Sequence, residues 1–182
     1  MRNGIAVSAL SEFVNEIKND PREAIAKYGV ELNWQSGTRS KVTALPMSVG
    51  PHTVSRDFTW EIDEPRQLLG CNHAPNPQEY LLSGVGACIL VGFAVGASVM
   101  EIQLETLKVT VRGQLDLAGF LDINPASPVP FTELNYCIEV AGDGTPEQFE
   151  KLRQTALSQS PNAMTIMKGA AVNGELIINS HA

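Results

Sequence analysis

Cysteine and histidine are both scarce in this chain, with three of each among 182 residues. An odd, small number of thiols argues against a disulfide framework. Neither Cys-x-x-Cys nor His-x-x-x-His occurs, so the spacing of a metal site is missing and no metal is expected. Basic residues are few: 13 Lys and Arg stand against 20 Asp and Glu, a net charge of −7. That balance, with no Lys/Arg cluster, removes the attraction on which binding to nucleic acid or an anionic membrane depends. The sequence also lacks a Gly-x-Ser-x-Gly elbow, a phosphate-cradling glycine loop and a dinucleotide fingerprint, so no cofactor is expected. Met1 to Ala9 has neither a long apolar core nor a small-residue cleavage pattern, which points to a reducing cytoplasm.

What is present suits one globular domain: 43% hydrophobic and 18% charged residues, enough to bury a core, and no internal repeat. From Tyr80 to Met100 no residue is charged, a length that could cross a bilayer. The run holds Gly84, Gly86, Gly92 and Gly96, is flanked by Glu79 and Glu101, and has no neighbouring Lys or Arg to orient it. It reads as a buried helix whose small residues admit a close neighbour. Asn76, Pro77 and Glu79 form its start signal.

Elsewhere periodicity divides the chain. Val7, Leu10, Val14 and Ile17 recur at helical spacing, and Asp20-Pro21-Arg22-Glu23 opens a second short helix that Gly29 ends. Alternating stretches at Val30–Gln35, Lys41–Val49 and Phe58–Asp63, then at Leu107–Arg112 and Glu133–Val140, predict half-buried antiparallel strands. Thr145-Pro146-Glu147-Gln148 opens a helix, Ser160-Pro161 another, and Val172 to Asn179 reads as a closing strand. The class is α+β.

Three thiols carry what chemistry there is. Cys88 lies mid-helix, about three turns from Pro77, with Gly84 and Gly92 four residues away on either side. That bare surface could admit a ligand or a second helix, and a thiolate there would need a cation brought in by the fold. Cys71 lies in the loop before the helix, near His73. Cys137 sits between Glu133, Asn135 and Glu139, where carboxylates oppose thiolate formation, and is read as inert.

The stretch from Pro75 through Gln78, Glu79, Tyr80 and Gly84 to Cys88 resembles the first cysteine motif of the OsmC/Ohr family, the osmotically induced and organic-hydroperoxide-resistance proteins. The order of elements agrees from about Val30 to Ser180, leaving residues 1–29 as an N-terminal helical extension of an OsmC-like domain at 30–182. The resemblance implies antiparallel sheets wrapped around a long central helix, in an intertwined homodimer with its sites at the interface. It also implies thiol-dependent reduction of organic hydroperoxides: a peroxidatic thiolate becomes a sulfenic acid, and a resolving cysteine closes a disulfide that an external dithiol reduces.

Carried over by position, the peroxidatic cysteine is Cys88. The resolving position falls on Ser160, which cannot form a disulfide and is a good N-cap ahead of Pro161. The family's glutamate falls on Gln78, next to Glu79, and its arginine on Arg39, with Arg56 as the fallback. The expectation is a one-cysteine form, resolved by an external thiol reductant or by Cys71. The alternative is a non-catalytic homodimer that binds a small apolar ligand or a protein partner.

Overall fold

Helices in this chain begin where a side chain can satisfy the first free backbone N–H groups. The computed structural model describes residues 1–179. Asn76 Oδ1 accepts from the Glu79 N–H at 2.9 Å while Glu79 Oε2 accepts from the Asn76 N–H at 2.8 Å, and this reciprocal box opens α2, Pro77–Val99. Thr145 and Gln148 repeat the device at α4, Pro146–Ser158, and Ser160 caps α5, Pro161–Lys168. A single turn, α3, occupies Leu117–Phe120, and α1 spans Val7–Asn19. The second N-terminal helix expected to end at Gly29 is one 3-10 turn, Pro21–Ala24, after which the chain extends into β1, Ala26–Lys27. The Ile25 cap is already extended, so the capping signal at Asp20 nucleates a turn that nothing propagates.

The strands form separate sheets. Strands β2 (Val30–Ser36), β3 (Arg39–Ala44) and β6 (Thr59–Ile62) form one antiparallel sheet in the order β2-β3-β6. The expected strand at Lys41–Val49 is divided: its second part is β4, Met47–Val49, which joins β1 and β5, His52–Val54, in a small sheet of order β1-β4-β5. Long strands β7 (Leu104–Gln114) and β8 (Glu133–Gly142) make a two-stranded ribbon, with Val109 opposite Ile138 and Val111 opposite Tyr136. The expected closing strand at Val172–Asn179 is not formed: the segment is exposed and pairs with no strand of its own chain among the described residues.

The core lies along one side of α2. Val85, Ile89, Phe93 and Ala97 recur at helical spacing and pack with Ile102, Leu152, Ala156 and Ala163, beneath the ribbon residues Leu107, Val109 and Ile138. Phe93 stacks on Phe149 of α4 with ring centroids 6.3 Å apart. Although α2 is long and apolar enough to cross a membrane, it packs on β7, α4 and α5 of its own chain. Small residues make that approach possible. A Cβ at Gly96 would lie 2.7 Å from Leu152 Cδ2, and one at Gly92 would touch the Ala156 backbone.

The N-terminus is fastened to the far end of α2. The Asn3 amide donates to Ser98 Oγ at 3.1 Å and to the Ile102 carbonyl at 2.9 Å, and its oxygen accepts from the Leu104 N–H at 2.9 Å. The Arg2 guanidinium donates to the Glu101 carbonyl.

Candidate functional site

Asp63 ends the β2-β3-β6 sheet as a carboxylate only 2% exposed. Thr38 Oγ1 donates to it at 2.8 Å, and the backbone N–H groups of Glu64, Cys71 and His73 donate at 2.9, 3.0 and 3.1 Å. These bonds, the Thr38 hydroxyl first, hold its pKa down to about 2 from an ordinary 3.8. They also fold the loop before α2 back on the sheet. Gly70 is required in that loop, because a Cβ there would lie 1.8 Å from the Glu64 carbonyl oxygen.

Arg39 and Cys71 meet at this fold. The type of turn at Gly37, with φ of +55°, brings Ser36 opposite Arg39, and the Trp34 indole closes it by donating to the Gly37 carbonyl at 2.9 Å. Arg39 then lines a cleft of about 290 Å³ with Thr38, Asp63, Cys71 and His73. Its Nε is buried and has no hydrogen-bond partner among the described residues. The fallback, Arg56, lies in the open with its guanidinium 4.6 Å from the Phe58 ring centroid.

Gln78 and Glu79 begin α2 on a different face of the same loop. They line a larger cavity, about 620 Å³, together with Glu64, which sequence reasoning passed over. A glutamate between a strand-ending Asp and a Pro carries no spacing signature; only the backfolded loop brings Glu64 to Gln78. Burial pushes the Glu64 carboxyl up, opposed by a bond from Asn76. Glu64 Oε2 and Gln78 Oε1 are both buried and have no hydrogen-bond partner among the described residues.

Cys88 is a free, half-buried thiol further along α2. Of the two neighbours the sequence allowed at its glycines, a ligand or a second helix, the structure supplies helices of the same chain. Gly84 accepts a 2.8 Å bond from Asn162 Nδ2 of α5, and Gly92 lies against Ala156 of α4. Cys88 lies between Gly84 and Gly92 in sequence, as Ser160 lies between Ala156 and Asn162. Ser160 is 2% exposed, and its hydroxyl accepts from the Ala163 N–H at 3.2 Å, the N-cap role expected of it. Leu81, Ala87 and Val91 of α2 are exposed, Leu81 and Val91 being seven and three residues from Cys88 and so on the same side of the helix. Cys137 is exposed on β8, opposite Thr110, and no cluster of His, Cys, Asp and Glu among the described residues is arranged to hold a metal.

Residues 70–175, more than half of the chain and including the whole of α2, match the model of the OsmC-like protein family. The chain belongs to the OsmC-like family. Solved structures agree with that membership. An OsmC-like protein from Mycoplasma pneumoniae is 19% identical, covering 79% of this chain and 89% of its own, with a TM-score of 0.60. An OsmC-like protein of unknown function from Vibrio cholerae is 12% identical, covering 78% and 94%, with a TM-score of 0.56. At such identities the likeness is one of fold. No curated protein matches the chain. Within one chain of this OsmC-like protein Arg39 and Cys71 line one cavity, Gln78, Glu79 and Glu64 line another, and Cys88 stands on α2 between the glycines that meet α4 and α5.

Proposed function

We propose that this OsmC-like protein is a cytoplasmic homodimer that reduces organic hydroperoxides at Cys88 by a one-cysteine cycle. The observation that supports the reading is a free, half-buried thiol on α2, with Gly84 and Gly92 four residues to either side of it meeting Asn162 of α5 and Ala156 of α4; the resemblance assigns the resolving position to Ser160, which lies between those two helices in sequence. The Cys88 thiolate attacks the terminal oxygen of the hydroperoxide, the O–O bond breaks, and the alkoxide takes up a proton to leave as an alcohol. Cys88 is then a sulfenic acid. A thiol reductant displaces its hydroxyl as water to give a mixed disulfide, and a second thiol releases Cys88 with formation of the reductant's own disulfide. Cys71 is the candidate internal resolver.

The uncovered surfaces support the homodimer. Val30, Leu32 and Trp34 line one face of β2 in the open, and Leu81 and Val91 do the same on α2. Apolar faces of this extent on both a sheet and a helix mark surfaces that another chain covers. The partner's sheet laid over α2 would bring Arg39 of the partner subunit, whose Nε lacks an acceptor among the described residues of its own chain, toward the thiol that needs a cation.

The test is intact mass and peptide mapping of the reduced protein after one equivalent of cumene hydroperoxide, with and without a sulfenate trap. Trapping at Cys88, abolished in Cys88→Ala, is expected. Ser160→Cys is expected to raise turnover with dithiol reductants. A Cys88 that stays reduced for hours rejects the peroxidase and leaves a non-catalytic dimer on this fold.

A further inference from the structure

Asp63 and Arg39 meet at one end of the β2-β3-β6 sheet. Ser40 of β3 is opposite Ile62 of β6, so the next step of that register sets Arg39 beside Asp63, and both line the cleft of about 290 Å³. A buried carboxylate and an arginine whose Nε is buried without a partner are the ordinary ingredients of an ion pair. Yet no hydrogen bond or ion pair joins them among the described residues.

The reason is that Asp63 has no acceptor position left. Its Oδ1 accepts from the Thr38 hydroxyl and the Glu64 N–H, and its Oδ2 from the N–H groups of Cys71 and His73. Two bonds on each oxygen fill the roughly four lone-pair sites of a carboxylate. Three of these donors are backbone groups, fixed by the fold of the loop. Thr38 alone donates from a side chain, and it immediately precedes Arg39 in the chain. Without its hydroxyl, Asp63 Oδ1 would lack a donor in the same cleft in which Arg39 Nε lacks an acceptor. Each group left unmade costs about 1–3 kcal/mol, so the two would satisfy each other and commit the arginine inside its own chain.

We infer that Thr38 is a positioning residue: its hydroxyl occupies Asp63, so that Arg39 stays available to an acceptor on a second copy of the chain. The inference rests on the proposal that this acceptor is the Cys88 thiolate, and it names the group that keeps the arginine for it. Thr38 itself is exposed, so its replacement does not threaten the fold.

The experiment is iodoacetamide alkylation of the reduced, full-length protein, followed at Cys88 by peptide mapping at pH 6 and at pH 9.5. Only the thiolate reacts, so the rate at pH 6 reports a cation beside the sulfur, whereas the rate at pH 9.5 reports access to it. Arg39→Ala is expected to slow the reaction at pH 6 about tenfold, the effect of one nearby opposite charge. Thr38→Val is expected to slow it about fivefold while leaving the rate at pH 9.5 within about twofold, and Thr38→Ser to match the parent protein. With Arg39→Ala already present, Thr38→Val is expected to add nothing, because it acts through the arginine. No slowing at pH 6 in Thr38→Val or Arg39→Ala, equal losses at both pH values, or a full Thr38→Val loss in the Arg39→Ala background would each overturn the inference. An effect confined to Cys71 would overturn it too, by placing the arginine's acceptor in its own chain. Alkylation consumes no peroxide, so a Cys88 that stays reduced with cumene hydroperoxide rejects the peroxidase and leaves this test standing.

Discussion

Along α2 the residues Ile89, Phe93 and Ala97 are at most 1% exposed, whereas along β2 the apolar residues Val30, Leu32 and Trp34 are 51%, 54% and 75% exposed. Both segments carry clean apolar patterning, and both are regular. The difference is the second layer. The α2 face has α4, α5 and the β7–β8 ribbon packed on it by the same chain, while the β2-β3-β6 sheet touches α2 at the Trp60–Tyr80 ring pair. The exposed C-terminal segment, with Val172 at 96% and Leu176 at 82%, belongs with the open half. A hydrophobic period therefore says which face is to be covered, and does not say by which chain.

Substitutions can break or sharpen this contrast. The largest effect is expected in the closed half: Phe93→Ala removes a ring stacked on Phe149 in a site that cannot collapse, at a cost of about 3–5 kcal/mol by denaturant unfolding. In the open half, Trp34→Glu is expected to cost the single chain only the turn-closing indole bond, about 0.5–1.5 kcal/mol, and to weaken self-association by about 2–4 kcal/mol, read by sedimentation across a dilution series. If β2 were merely surface, the same change would leave self-association within about 0.5 kcal/mol.

A smaller effect separates the anchored N-terminus from both halves. Asn3→Ala deletes the bonds to Ser98, Ile102 and Leu104 and is expected to cost about 1–3 kcal/mol, with raised amide exchange at Leu104 and through α1. The least is expected from acid. Asp63 has its pKa depressed to about 2 from 3.8, so the stability it contributes is fully present above pH 3.8 and is lost as pH falls through about 2. The difference in melting temperature between the protein and Asp63→Asn should accordingly be full at pH 5 and narrow toward pH 2. A difference independent of pH would deny Asp63 this role.

Much of the closed half was legible in the sequence because its signals are local. Asn76, Pro77 and Glu79 marked the start of α2, Thr145 and Ser160 marked α4 and α5, and alternation from Leu107 and Glu133 marked the ribbon. The open half was legible only as strands. The C-terminal alternation around Leu176 satisfies the period of a strand, yet a strand needs an edge to pair with, and its own chain supplies none among the described residues. The resemblance pointed to Cys88 and to Ser160 as the positions of the family's two cysteines. What neither showed was that Gly84 and Gly92 seat α5 and α4 beside the thiol, or that the loop organised by Asp63 carries Glu64 to Gln78. Those placements depend on a backfold fixed by backbone bonds to one carboxylate, which leaves no spacing to read.

The claim that a second copy covers β2 and completes the surroundings of Cys88 is tested most directly by sedimentation velocity of the full-length protein from nanomolar to micromolar concentration, with Trp34→Glu alongside. The expected result is the mass of two chains at micromolar concentration, with the variant shifted toward one chain. A single-chain mass at every concentration, unchanged by Trp34→Glu, would contradict it.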